Sequence, residues 1–147
     1  MNDGAAEATA INGWLNALTG EFFEGALSDD DVVARNFRGS PTGYRVVSYS
    51  DPVPLFSGRG LGVSEAGQPY TMPFRIVHVA STPNAARLMS NATRAALLGK
   101  VPNSPNSGEV KSSGGVSYQI AATESKPTES RVVSYYEVYI NGTVEEL

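Results

Sequence analysis

The stretch that decides the fold is FRIVHVASTPNAARLMSNATRAALLG, residues 74–99. Its first seven residues alternate. Phe74, Ile76, His78 and Ala80 fall on one side, and Arg75, Val77 and Val79 on the other. Both sides carry apolar residues, the texture of an inner strand covered on at least one face. Ser81 or Thr82 then supplies an oxygen for the free N–H groups of a helix start, and Pro83 suits the first helical position. Ala85, Leu88, Met89, Ala92, Ala95 and Ala96 recur at helical spacing and predict one buried face, with Arg87, Ser90, Asn91 and Arg94 outside it. Gly99 and Pro102 end the helix.

Upstream, Ala8, Ile11, Leu15, Leu18 and Phe22 step by three and four residues, a single helical stripe that Trp14 widens. This predicts an N-terminal helix over about 5–24, started by Asp3 or Asn2. Gly13 and Gly20 weaken it, so packing must hold it together. Ser28–Asp31 reads as an acidic turn or helix cap. Val32–Phe37 reads as a strand, with a short helix as the alternative. GYRVVSYS is a strand in which Tyr44, Val46 and Ser48 oppose Arg45, Val47 and Tyr49; DPVP breaks it. The glycine-rich run Leu55–Met72 is a long connection or projecting hairpin that ends at Pro73.

Downstream, Pro102–Gly114 is a polar loop, long for a compact domain. GGVSYQIAATES and SRVVSYYEVYIN are two strands that pair most simply as an antiparallel hairpin over 115–141, followed by an acidic tail, GTVEEL. In the second strand Val132, Ser134, Tyr136, Val138 and Ile140 alternate with Val133, Tyr135, Glu137 and Tyr139. If the first set faces the core, Val133, Tyr135 and Tyr139 need a cover of their own, and tyrosines on an uncovered strand face suit a contact with another subunit. The expected fold is α+β: a single domain, 1–147, with a mostly antiparallel four- to five-stranded sheet and two helices packed on one face.

Composition narrows the chemistry. The 147 residues carry net charge −4 and no cysteine. Disulfides, thiolate metal sites and cysteine nucleophiles are thereby excluded. No basic run offers a grip on nucleic acid. No apolar stretch is long enough to span a membrane. The N-terminus has neither a basic region nor an apolar core of a secretory signal, so synthesis and folding in a cytoplasm are expected.

The catalytic candidates are sparse. His78 is the only histidine, and a lone histidine facing inward from a strand reads as a hydrogen-bonded core residue. Ser28–Asp31 lacks the glycine and closing glutamate of a calcium loop. Gly58–Gly62, GRGLG, has no following helix start to hold a phosphate and reads as a hairpin tip. NAT at Asn91 and NGT at Asn141 match glycosylation acceptors by chance. No nucleophile elbow is present. The chain is expected to be no enzyme and to need no cofactor or metal.

The order of elements has a familiar form. An amphipathic helix leads to a strand with DPVPLF and a glycine-rich excursion; YTMPFRIVHVASTPNAARLMSNATRAALLG, a polar loop and VSYQIAATE…RVVSYYEVYI follow. Over Ala5–Asn141 this resembles the tail terminator, or tail completion, proteins of long-tailed bacteriophages. The resemblance implies a homo-oligomer, a hexameric ring that caps the tail tube, stops its polymerisation and joins the tail to the head connector or stopper. DNA passes through such a ring without sequence-specific binding. It implies a place in the virion, at the neck of the tail, after assembly in the host cytoplasm. The implied subunit contacts are the Leu55–Met72 excursion with Phe56, Arg59 and Leu61, the Pro102–Gly114 loop, and Val133, Tyr135 and Tyr139. Another neck, tube or baseplate ring protein, or a small hydrolase or ligand-binding domain, remains the alternative reading of the same texture.

Overall fold

The computed structural model describes residues 3–25, 43–54, 70–113, 119–126 and 131–146, and only the backbone of 54, 119–126 and 131–134. The expected turn at Ser28–Asp31, the expected strand at Val32–Phe37 and residues 55–69 of the glycine-rich connection lie outside them. The elements run α1 (Ala5–Asn16), β1 (Glu21–Glu24), β2 (Tyr44–Tyr49), β3 (Val53–Pro54), β4 (Tyr70–Ala80), α2 (Pro83–Leu97), β5 (Ser107–Ser112), β6 (Gln119–Lys126) and β7 (Arg131–Glu146). The fold is α+β, as its alternations predict. The sheet is five strands wide in the order β1-β2-β4-β7-β5, with β3 extending the β2 position beside β4 and β6 extending the β5 position beside β7. Among the described residues, all pairings are antiparallel except β1 with β2.

Both described helices lie on one face of the sheet. Ile11 and Leu15 of α1 and Leu97 of α2 pack with Val47, Met72, Phe74, Ile76, Val110, Ile140 and Val144 from four strands. Each of these apolar side chains contributes about 1.5–3 kcal/mol when fully removed from water. Trp14, Leu18, Phe22 and Tyr49 close the rim of this core.

α1 is shorter than its stripe predicts. It stops at Asn16, and Gly20 takes φ +110°, a left-handed turn that redirects the chain. Glu21–Glu24 then leaves the helical path and pairs in parallel with β2. Phe22 keeps its place on the core, but from a strand. At the other end the N-cap is Gly4 and not the expected Asp3 or Asn2; Asp3, one residue further out, accepts the N–H of Ala5 at Oδ1, 3.0 Å.

β4 begins at Tyr70 rather than Phe74, so Pro73 sits inside an inner strand. The register explains the tolerance. β2 ends at Tyr49 opposite Phe74 and β3 begins at Val53 opposite Thr71. Pro73 faces the break between them, where its carbonyl accepts the N–H of Ser50 at 2.9 Å and no donor is required of it.

The buried face of α2 differs from the one its apolar residues predict. Ala86, Ser90, Thr93 and Leu97 face the sheet, while Leu88 is 59% exposed and Ala92 and Ala95 are exposed as well. The helix is turned by about a third of a turn from the expected phase. Its start is as expected: Thr82 caps Ala85 and Pro83 opens the first turn.

Two further corrections concern the C-terminal half. Ser107–Ser112, within the expected loop, is an edge strand paired with Gly142–Glu146. The expected acidic tail is the end of β7, where Val144 is fully buried in the core and Glu146 is buried beside it. The β6–β7 pairing is antiparallel, as expected.

Candidate subunit interface

The sheet has a second face, away from both described helices. Register places Phe23, Val46, Val77 and Tyr139 in one row across β1, β2, β4 and β7. All four are half-buried. Phe23 meets the Tyr44 ring edge-on at 6.0 Å. The row is bordered by polar groups. The Arg75 guanidinium lies over the Tyr139 ring at 5.5 Å, and its Nε–H donates to Asn141 Oδ1 at 2.9 Å. The Tyr139 hydroxyl donates to Glu137 Oε2 at 2.6 Å. An apolar stripe ringed by aligned polar side chains has the make-up of a recognition surface: a centre that shuns water and a rim that fixes direction.

Of the residues expected at subunit contacts, Tyr135 and Tyr139 lie on this second face, half-buried. Val133 is in β7 opposite Glu124, and its side chain is outside the described set. Phe56, Arg59 and Leu61 are outside the described residues. Residues 107–112 of the expected contact loop are committed to the sheet as β5.

A buried polar cluster lies elsewhere among the described residues, under α2. Arg45, His78 and Val138 form a register row on the helix-facing side, and Thr93 stands over it. Arg45, His78 and Thr93 are 1%, 0% and 0% exposed. Proton placement follows from the partners. His78 Nδ1 lies 3.0 Å from the Val138 carbonyl, which only accepts, so Nδ1 carries the hydrogen. His78 Nε2 then accepts from the Thr93 hydroxyl at 2.7 Å. The Thr93 oxygen in turn accepts from Arg45 Nε–H at 2.9 Å. The other guanidinium nitrogens donate to the carbonyls of Thr19 at 2.8 Å and Met89 at 3.3 Å. Burial pushes the His78 imidazole down to about 4, the Val138 carbonyl opposes this, and the Arg45 and Arg94 cations add to the depression. The ring is neutral at pH 7, and both of its nitrogens are used within the fold.

This network joins β2, β4, β7, α2 and the turn after α1. It also bears on the phase of α2: Thr93 faces inward because the sheet offers Arg45 and His78 there. His78 matches its expected role as a hydrogen-bonded core residue. Alternation sets Arg45 on one side with Val47 and Tyr49, without assigning that side to the core. Thr93 had no apolar signal to mark it. Among the described residues, no three histidine, aspartate or glutamate side chains gather as metal ligands would.

No protein-family model matches the chain, and no curated protein sequence matches it. Among solved structures, it is similar to a chain in the virion of native gene transfer agent (GTA) particle. That likeness has a TM-score of 0.47 and 14% identity, over 97% of this chain and 96% of the other. A likeness at that level is confined to the outline of the fold.

Proposed function

We propose that this chain is a structural virion protein of the tail-terminator kind. It is a ring-forming subunit that caps the tail tube, ends its growth and joins the tail to the head connector, leaving a passage for DNA. The observation that carries the reading is the cross-strand row Phe23–Val46–Val77–Tyr139, on a sheet whose other face already holds the core. Apolar residues on both faces of a sheet call for two covers, and both described helices serve the same one. The buried Arg45–Thr93–His78 network supports the same conclusion, because it spends the only histidine on holding the fold. The element order quoted above supplies the particular assembly.

Electron microscopy of the purified protein, alone and mixed with tail tubes, tests it. Rings seated on tube ends, with elongation stopped, support the reading. Rings that bind connectors and ignore tubes reassign the chain to a head–tail stopper. A protein that stays monomeric under both conditions and leaves tube growth unchanged overturns it.

A further inference from the structure

The exposed large apolar side chains of the described residues are concentrated in one place. Leu88 is 59% exposed, Leu98 42% and Val101 44%; all three lie on α2 or its exit, and only Val53, at 43%, lies elsewhere. Exposed Ala92 and Ala95 continue the surface from Leu88 toward the helix end. From position 88 to 98 the stripe runs roughly 15 Å at the helical rise. This is the apolar side that sequence periodicity assigns to the core, and the inward turn of Ser90 and Thr93 leaves it in solvent. A monomer gains nothing from that arrangement, since leucine at this exposure returns little of its burial energy.

The charges beside the stripe name its occupant. α2 carries Arg87 and Arg94 and no acidic residue, in a chain of net charge −4. The surface outside this helix is therefore more negative than the chain as a whole. Two copies of α2 laid against each other bring like charges together, which is unfavourable. A two-fold helix pair is thereby disfavoured, and a head-to-tail contact with an acidic surface is favoured. Head-to-tail contacts close into rings when the rotation between copies closes.

We infer that the outward stripe of α2, Leu88, Ala92, Ala95 and Leu98 edged by Arg87, docks on an acidic surface of a second copy of this chain. The inference rests on the ring reading and assigns it a contact that the tyrosines of β7 do not supply. Apolar area gives the contact its strength, and the arginine edge sets direction and partner choice.

The absence of cysteine makes the test direct. Wild type, Leu88→Asp and Arg87→Glu are compared by sedimentation over a concentration series, alone and on tail tubes, with circular dichroism as the check on folding. A benzophenone attached to Ala92→Cys maps the neighbour by photocrosslinking. The expected result is association weakened about tenfold or more by either charge variant, equivalent to about 1.4 kcal/mol, with helix content unchanged. Added salt weakens wild type, and crosslinks fall on acidic segments of another copy. Rings that assemble equally well in Leu88→Asp overturn the inference while leaving the ring reading intact. Crosslinks confined to the tube protein overturn it in favour of a tube contact. A wild type that forms no ring alone or on tubes overturns both.

Discussion

The ring of Phe74 covers Gly142, its register partner on β7. A Cβ at position 142 would meet Cε1 and Cε2 of that ring at 2.8 and 2.9 Å, closer than carbon atoms pack. Glycine inside a strand ordinarily weakens it, and here an aromatic side chain occupies the space it leaves. The pair therefore explains both why β7 continues past Asn141 and why its residue 142 lacks a side chain.

Gly142→Ala is expected to destabilise the chain by about 1–3 kcal/mol, the usual cost of forcing a methyl into a filled core. Urea denaturation measures it. In a Phe74→Leu background the same change should cost less, and the difference is the coupling between the two positions. Equal costs in both backgrounds would show that the ring is not what excludes the methyl.

The two leucines of α2 divide by phase. Leu97 is 1% exposed in the main core, and Leu97→Ala is expected to cost about 2–5 kcal/mol. Leu88 is 59% exposed, and Leu88→Ala should fall within about 0.5 kcal/mol in the unassembled chain. Reversed magnitudes in thermal or chemical unfolding would restore the face that the alanine periodicity predicts.

That contrast shows what the sequence could and could not reveal. Alternation is a strong signal in strands, so the two sides of β2, β4 and β7 are legible and His78 reads as facing inward, while the side of β2 that faces the core stays open. Helix phase was not legible, because α2 has many alanines, which fit either environment, and because its buried positions include Ser90 and Thr93. Thr93 is favoured inside because the sheet presents a donor and an acceptor to it, a relation between segments some 15 to 48 residues apart. The β1 strand was hidden for a similar reason: Phe22 continues the helical stripe, and the backbone at Gly20 alone redirects it. The strand pairing of 107–112 depends on β7 running to Glu146, which an acidic composition disguises. Alternation along β7 also sets Tyr135 and Tyr139 on the face away from Val138 and Ile140.

Thr93 is the hinge of the polar network, since its hydroxyl serves Arg45 and His78 together. Thr93→Val keeps the shape and removes the oxygen. It leaves Arg45 Nε and His78 Nε2 buried without that partner, at about 1–3 kcal/mol for each unsatisfied group. Thr93→Ser, which retains the oxygen, should recover most of the loss in denaturant unfolding. A serine variant as unstable as the valine one would place the effect in methyl packing.

The His78 depression predicts a pH dependence with a definite sign. Its folded value is about 4, against about 6.5 for an exposed histidine. The unfolded chain therefore binds a proton that the folded chain refuses between these values. Stability is fully present above about pH 6.5, falls as pH drops toward 4, and levels off for this group below that. The shift corresponds to about 3 kcal/mol. Because His78 is the only histidine, its signature between about pH 5 and 6.5 precedes most carboxylate titration. Unfolding free energies measured across that window should slope upward with pH in wild type and flatten in His78→Asn. An unchanged slope in the variant would move the effect to other groups.

The last expectation concerns the second face. Tyr139 is fixed by Arg75 over its ring and Glu137 at its hydroxyl, so its rotamer is set before any partner arrives, and little entropy remains to be lost on contact. Replacing Tyr135 and Tyr139 together by serine should leave far-ultraviolet circular dichroism intact and reduce ring assembly, because tyrosines of this kind contribute strongly to interfaces. Arg75→Ala should weaken assembly less, since it frees the tyrosine without removing it. If the double serine variant unfolds instead, the two tyrosines belong to the interior of the single chain. If it folds and still assembles fully, this face is not the ring contact.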